Sequence, residues 1–145
     1  MKYFIILTIF LKILILSTNA NAQKLVPLQD YINKNEFNDN EMFYVFSRCS
    51  AIGYKIMDLG QNMPELKKRG ETLNGYFFYV SSEVRSKILP NESKKRHETI
   101  TAETVGGLID VYTEISNDYY LRTGNYFSDM MIADLELCSA LYENK

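Results

Sequence analysis

Apolar residues recur at alternating spacings of three and four along much of this chain, which is typical of helices that bury one face. The clearest run comprises Met42, Val45, Cys49, Ile52, Ile56, Leu59 and Met63. Three similar runs lie within residues 66–88, 105–119 and 127–142. No strand-like alternation of useful length accompanies them, so the sequence predicts an all-α fold.

Turn and capping residues divide this periodic region into four helices. Pro90 is expected to stop the second helix, and the polar run 91–100 is expected to form an exposed loop. Thr101 can cap the start of the third helix, and Gly124 suits its end. The last helix is predicted from about Tyr126 to Tyr142. Four helices with short connections favour an up-down-up-down four-helix bundle, in which the first and last helices are antiparallel neighbours.

The chain contains two cysteines, Cys49 and Cys138, so one intramolecular disulfide is possible. Both lie on apolar stripes, and in the predicted bundle their levels differ by about one helical turn. A disulfide could therefore join the first helix to the last. The alternative is a reactive or metal-bound thiol pair, but neither cysteine belongs to a C-x-x-C motif and His97 is the only histidine.

The first 22 residues have the three parts of a secretory signal peptide. Lys2 provides the positive start, residues 3–16 the apolar segment, and Ala20-Asn21-Ala22 a small-residue cleavage site. Lys12 interrupts the apolar segment, so an uncleaved anchor is the alternative. A membrane-spanning helix needs about 20 predominantly apolar residues, which this segment does not supply. We therefore expect cleavage after Ala22.

Cleavage would leave residues 23–145 as a single helical domain, exported to the periplasm or secreted, without a stable membrane span. It would also lower the number of Lys and Arg residues from 16 to 14 against 18 acidic residues, giving a net charge of −4. A nucleic-acid-binding domain needs a basic excess on one face, so we expect no nucleic-acid partner. An oxidising compartment would favour the disulfide.

Two groups of titratable residues are candidate sites of chemistry. Asp110, Glu114 and Asp118 recur every four residues on the third helix, where they could bind a hard cation or form a solvated helix face. No Glu-x-x-His motif accompanies them, so we expect neither a metal nor a cofactor. His97 could act as an acid or base, but its charged surroundings predict an ordinary surface histidine.

Tyrosine is abundant, with 11 residues in the chain and no tryptophan. Tyrosine offers a large contact area at low conformational cost, which suits a binding surface. The alternative is a place at the boundary of the core, with the ring buried and the hydroxyl hydrated. If a partner surface exists, Tyr119, Tyr120 and Tyr126 are the residues that we expect to form it.

The segment Arg48-Cys49-Ser50-Ala51, together with Asp134-Leu135-Glu136-Leu137-Cys138, resembles a pattern in small exported two-cysteine helical proteins of bacteria and phages. The resemblance covers the first and last predicted helices. It implies a helical fold with one disulfide and no particular activity.

Two classes of function remain open. The first is an exported, non-catalytic helical protein that binds a partner protein or an envelope component, or that helps to maintain the envelope. The alternative is a small exported enzyme whose site is assembled from residues on different helices. The first class is favoured because no catalytic motif is present in the sequence.

Overall fold

The computed structural model describes residues 25–145, and every regular element in that range is a helix. The helices are α1 (Leu28–Lys34), α2 (Asp39–Leu59), α3 (Pro64–Ile88), α4 (Lys94–Thr123) and α5 (Asp129–Glu143). The all-α prediction is confirmed, whereas the predicted signal peptide lies outside the described residues. None of the helices within residues 25–145 is both long and apolar enough to cross a membrane.

Helices α2 to α5 correspond to the four predicted from periodicity, and α1 is an additional short helix. Seven residues are too few to establish a periodic apolar stripe, so the sequence pattern could not reveal α1. Helix α2 occupies the centre of the fold, because it contacts α3, α4 and α5 and contributes more residues to the buried core than any other helix. Helix α1 packs against α5.

Helices α2 and α3 form a close antiparallel pair that depends on glycine. A Cβ atom on Gly53 would lie 2.6 Å from the backbone nitrogen of Asn74, and one on Gly60 would lie 2.9 Å from that of Lys67. Beside Gly53, the Asn74 side chain donates a 3.0 Å hydrogen bond to the carbonyl oxygen of Ser50. The two backbones can therefore approach closely only where a side chain is missing.

The predicted loop over residues 91–100 is wrong, because α4 already begins at Lys94. The Ser93 side chain caps this helix by accepting a 3.3 Å hydrogen bond from the backbone N–H of Arg96. The buried stripe of α4 then continues upstream from Val105 through Thr101 to His97. Apolar periodicity missed this first part of α4 because the residues on its buried face are polar.

The other helix ends agree better with the sequence. Helix α3 ends at Ile88, just before Pro90. Gly124 ends α4 in the left-handed conformation, with φ of 75°. Helix α5 begins three residues later than predicted, at Asp129, where the hydroxyl of Ser128 accepts from the backbone N–H of Met131.

A disulfide joins Cys49 on α2 to Cys138 on α5, with a Cα–Cα distance of 5.4 Å. This confirms the predicted bond, and both residues are fully buried. The two cysteines belong to an apolar core to which all five helices contribute, with Val45, Ile52 and Phe77 among its fully buried side chains. The disulfide thus fixes α5 against the central helix.

Candidate functional site

A buried ion pair lies within one helical turn of the disulfide. Arg48 on α2 and Asp134 on α5 have no solvent exposure, and Nη2 of Arg48 lies 2.6 Å from Oδ2 of Asp134. Nε of Arg48 donates a second bond to the same oxygen at 3.0 Å. The hydroxyl of Tyr112 on α4 donates to Oδ2 of Asp134 and accepts from Nε of Arg48 at 3.0 Å. Three helices therefore meet at this cluster.

The segment that leads into α1 completes the cluster. The carbonyl oxygen of Val26 accepts a 2.5 Å hydrogen bond from Nη2 of Arg48. The backbone N–H of Leu28, which is unpaired within the helix because it lies in the first turn of α1, donates to Oδ1 of Asp134 at 2.6 Å. Leu28 is itself fully buried. The ion pair thus attaches the start of the described chain to α2 and α5.

Burial and charge together set the protonation states of the cluster. The pKa of Tyr112 is raised well above its ordinary value, first by burial and then by the negative charge of Asp134. Burial would lower the pKa of Arg48, but the neighbouring Tyr112 and Asp134 outweigh it and raise that pKa. Tyr112 is therefore a neutral hydrogen-bond donor and Arg48 a permanent cation.

A half-open cavity of about 390 Å³ lies beside the cluster, between the α1 region, α2 and α4. Its described walls are formed by Leu25, Val26, Tyr31, Tyr44, Arg48, Leu108 and Val111. Nη1 of Arg48 is buried and has no hydrogen-bond partner within residues 25–145. The cavity is thus largely apolar, and Nη1 of Arg48 is covered by protein instead of being open to the cavity.

Two of the three residues in the predicted tyrosine surface, Tyr120 and Tyr126, contact each other. The rings of Tyr120 and Tyr126 stack at a centroid distance of 4.1 Å and an interplanar angle of 9°, and the two residues are 42% and 41% exposed. Leu121 follows Tyr120 in sequence and is 82% exposed. Tyr119 is only half-buried and instead has the guanidinium carbon of Arg122 5.9 Å from its ring centroid. We call Tyr120, Leu121 and Tyr126 the aromatic surface.

His97 is buried, so the prediction of a surface histidine is wrong. It lies one turn into α4, and its Nδ1 is 3.8 Å from Oε2 of Glu92. The same oxygen lies 3.1 Å from Nη2 of Arg85 on α3. The charged residues around His97 in sequence face solvent, whereas the imidazole packs where the loop after α3 meets α4. The charged neighbours in the sequence therefore predicted the wrong environment for the His97 side chain.

The acidic stripe lies on the outer face of α4. Asp110, Glu114 and Asp118 are all exposed. In the part of the chain that the structure describes, no group of three or more acidic, histidine or cysteine side chains is arranged to hold a metal ion. The stripe has the geometry of a solvated helix face.

Two charged residues near the cysteines point to the ion pair, but apolar periodicity alone does not pair them. Arg48 and Asp134 are charged residues next to apolar or small neighbours, and each lies within four residues of a cysteine. A bond between Cys49 and Cys138 brings the two charges into the same region of the fold, but their contact depends on the register between α2 and α5. Comparison of the chain with protein-family models, curated proteins and solved structures gave no match.

Proposed function

We propose that this chain is an exported, non-catalytic helical protein that binds a partner protein through the aromatic surface. The observation that carries the proposal is the stacked pair of Tyr120 and Tyr126 beside Leu121. Tyrosine is enriched in the energetically important centres of protein interfaces. The stack holds both rings in place before a partner arrives, which lowers the conformational entropy lost on binding.

The location of this surface supports a role in recognition. It lies where α4 ends at Gly124 and the chain turns towards α5. A leucine that is 82% exposed beside two half-exposed tyrosines makes an apolar projection that a recess in a partner could cover. We further propose that α2 to α5 form a four-helix bundle to which α1 is attached, so that the aromatic surface is presented by a rigid support.

Export is the second part of the proposal, and the buried disulfide supports it. Disulfides persist in oxidising compartments such as the periplasm and the extracellular space. The sequence pattern of residues 1–22 is that of a secretory signal peptide, which would direct export. The intact mass of the protein recovered outside the cytoplasm should correspond to a chain beginning at Gln23. Recovery of the full-length chain in the membrane fraction would favour an uncleaved anchor.

Site-specific photocrosslinking tests the partner surface. A photoreactive amino acid in place of Leu121 should give a discrete crosslinked adduct when the protein is produced in its native host. The matched control is the same replacement at Tyr79 on α3, which is 61% exposed. No adduct at position 121, or adducts of equal yield at both positions, would contradict the proposal.

A further inference from the structure

We propose that Tyr76 and Tyr142 form a binding site for a small molecule that carries a trimethylammonium group, and that Lys145 occupies this site in the free protein. The proposal is independent of the aromatic surface, because it involves different residues, on α3 and at the end of α5. It rests on the angle between two rings, on the ammonium group that lies against both of them and on the exposure of the lysine that carries this group.

The rings of Tyr76 and Tyr142 form the two walls of a corner between α3 and α5. Their centroids are 5.1 Å apart and their planes meet at 85°. Both side chains pack against the apolar core and are half-buried, so each keeps part of its surface open to solvent. Tyr76 packs edge-on against the buried Phe77, and Arg69 on α3 donates a 2.6 Å hydrogen bond to Ser139 on α5. These contacts hold the two walls in place.

An ammonium group already lies in this corner. Nζ of Lys145 is 3.4 Å from the ring centroid of Tyr142 and 4.7 Å from that of Tyr76. The face of an aromatic ring is partly negative and attracts a cation within about 6 Å of the ring centroid. Aromatic cages that use this attraction recognise quaternary ammonium ligands. We call the space between the two rings the ammonium site.

Lys145 is an occupant that a better ligand can displace. Its side chain is exposed, and its primary ammonium group is strongly hydrated and loses part of that hydration against the rings. A trimethylammonium group has no N–H bond to hydrate, and its three methyl groups make apolar contact with the rings. A ligand with this group therefore gains the same attraction to the rings at a lower cost of dehydration.

An open groove adjoins the ammonium site and gives room for the rest of a small molecule. Tyr142 lines this groove, and its volume of about 360 Å³ lies within the range of small-molecule sites in proteins. Glu65 and Glu143 bring negative charge to the groove, while Lys68 and Arg69 bring positive charge. Because these charges balance, the two rings and not the groove select the ligand.

Choline and 3,3-dimethyl-1-butanol test the site, because they differ only in the replacement of a charged nitrogen by a neutral carbon. NMR titration of the wild-type protein, followed at the side chains of Tyr76 and Tyr142, gives a Kd for each. We expect the Kd of choline to be lower by about threefold or more, because only choline is attracted by charge to the ring faces. Equal or tighter binding of the neutral alcohol, or no binding of choline, would overturn the proposal.

The NMR signal of the Lys145 side chain tests whether choline displaces it. The ring current of Tyr142 should shift the ε-methylene protons of Lys145 upfield in the free protein. Saturating choline should move them towards their position in an unstructured peptide. Unshifted protons in the free protein, or a shift that choline leaves unchanged, would overturn the role of Lys145.

A substitution that empties the ammonium site should strengthen choline binding. Lys145→Ser should lower the Kd by about three- to tenfold, because ligand binds only to molecules in which the site is open. The matched control is Lys87→Ser, which removes the same charge from an exposed position about three turns from Tyr76 along α3. This control should leave the Kd within about twofold. An unchanged Kd in Lys145→Ser, or the same gain in the control, would contradict competition for the site.

Substitutions of the rings test the location. Tyr142→Leu should raise the Kd of choline by at least about fivefold, and Tyr76→Leu provides a second variant should the first fail to fold. The matched control is Tyr79→Leu, because Tyr79 also lies on α3 but is 61% exposed and outside the site. Thermal melts identify the variants that remain folded. Retained choline binding in a folded ring variant, or equal loss in the control, would overturn the assignment.

Phosphatidylcholine vesicles distinguish a free ligand from a lipid headgroup that carries the same trimethylammonium group. We expect the protein to stay in the supernatant when such vesicles are sedimented. Co-sedimentation that Tyr142→Leu abolishes would indicate a lipid surface as the ligand and would overturn the assignment to a free molecule.

Discussion

Arg48 and Asp134 are separated by 86 residues in the sequence, yet they form a fully buried ion pair one turn from the disulfide. The pair also binds Tyr112 and the backbone around α1, so it links four of the five helices. Its formation depends on the packing of α5 against α2, which the bond between Cys49 and Cys138 maintains.

Breaking the ion pair should be strongly destabilising. Asp134→Ala would leave the Arg48 guanidinium buried without its counter-charge, and we expect the free energy of unfolding to fall by about 3–5 kcal/mol. Urea denaturation measures it. The control is Glu98→Ala, which removes an exposed i,i+4 pair with Lys94 and should cost about 0.5 kcal/mol or less. Equal effects of the two substitutions would contradict a structural role for the pair.

The double variant Arg48→Met/Asp134→Leu should be less destabilised than Asp134→Ala. Removal of both charges leaves no uncompensated ion, and apolar side chains can fill part of the space. The same urea experiment tests this. A double variant that is at least as destabilised as Asp134→Ala would contradict this account.

Removal of the disulfide should lower stability without loss of helices. The bond closes a loop of 89 residues, for which the chain-entropy account gives about 4–5 kcal/mol at 25 °C. Cys49→Ala/Cys138→Ala should therefore melt several degrees or more below the wild type, while its far-ultraviolet circular dichroism remains helical. Superimposable melts of the oxidised and reduced protein would contradict this.

Stability should fall at alkaline pH because of Tyr112. Its pKa is raised in the folded state, whereas in the unfolded chain it ionises near pH 10. The contribution is present below about pH 10 and is lost above it, at up to about 1.4 kcal/mol per pH unit. Urea denaturation between pH 9 and pH 11.5 should therefore show a shallower decline for Tyr112→Phe than for the wild type. The control is Tyr79→Phe, and a Tyr112→Phe variant with the wild-type slope would exclude Tyr112 as the cause.

Two adjacent glycines within α4 offer a test in the opposite direction. A Cβ on Gly106 or on Gly107 would meet no atom within 4 Å, so alanine removes flexibility of the unfolded chain without a clash. Each substitution should raise the free energy of unfolding by about 0.4–1 kcal/mol. Gly53→Ala should lower it, because its Cβ would clash with the backbone of Asn74. Thermal or urea denaturation distinguishes these results.

The sequence predicted the features that depend on local chemistry and on repeated spacing. The disulfide followed from two cysteines on apolar stripes, and Gly124 and Pro90 marked the ends of α4 and α3. The early start of α4 was missed because His97 and Thr101 occupy its buried face. An apolar pattern does not extend over polar residues, whose burial depends on the tertiary packing of α4.

For the candidate functional residues, too, the sequence predicted some of the chemistry but not the contacts. Composition could identify Tyr120 and Tyr126 as candidates, but their stacking depends on how the chain turns after Gly124. Arg48 and Asp134 could not be paired from the sequence alone, because their contact requires the register between α2 and α5. The cavity beside them depends further on α1, a helix too short to have a periodic signal.

The central functional claim is that the aromatic surface binds a partner, and the affinity of the partner identified by crosslinking at position 121 tests it most directly. Tyr120→Ala should raise the Kd by at least about tenfold, as expected for a residue at the centre of an interface. Tyr79→Ala, at an exposed tyrosine outside the surface, should leave the Kd within about twofold, and thermal melts should show both variants folded. An unchanged Kd for Tyr120→Ala, or the same loss for Tyr79→Ala, would contradict the account.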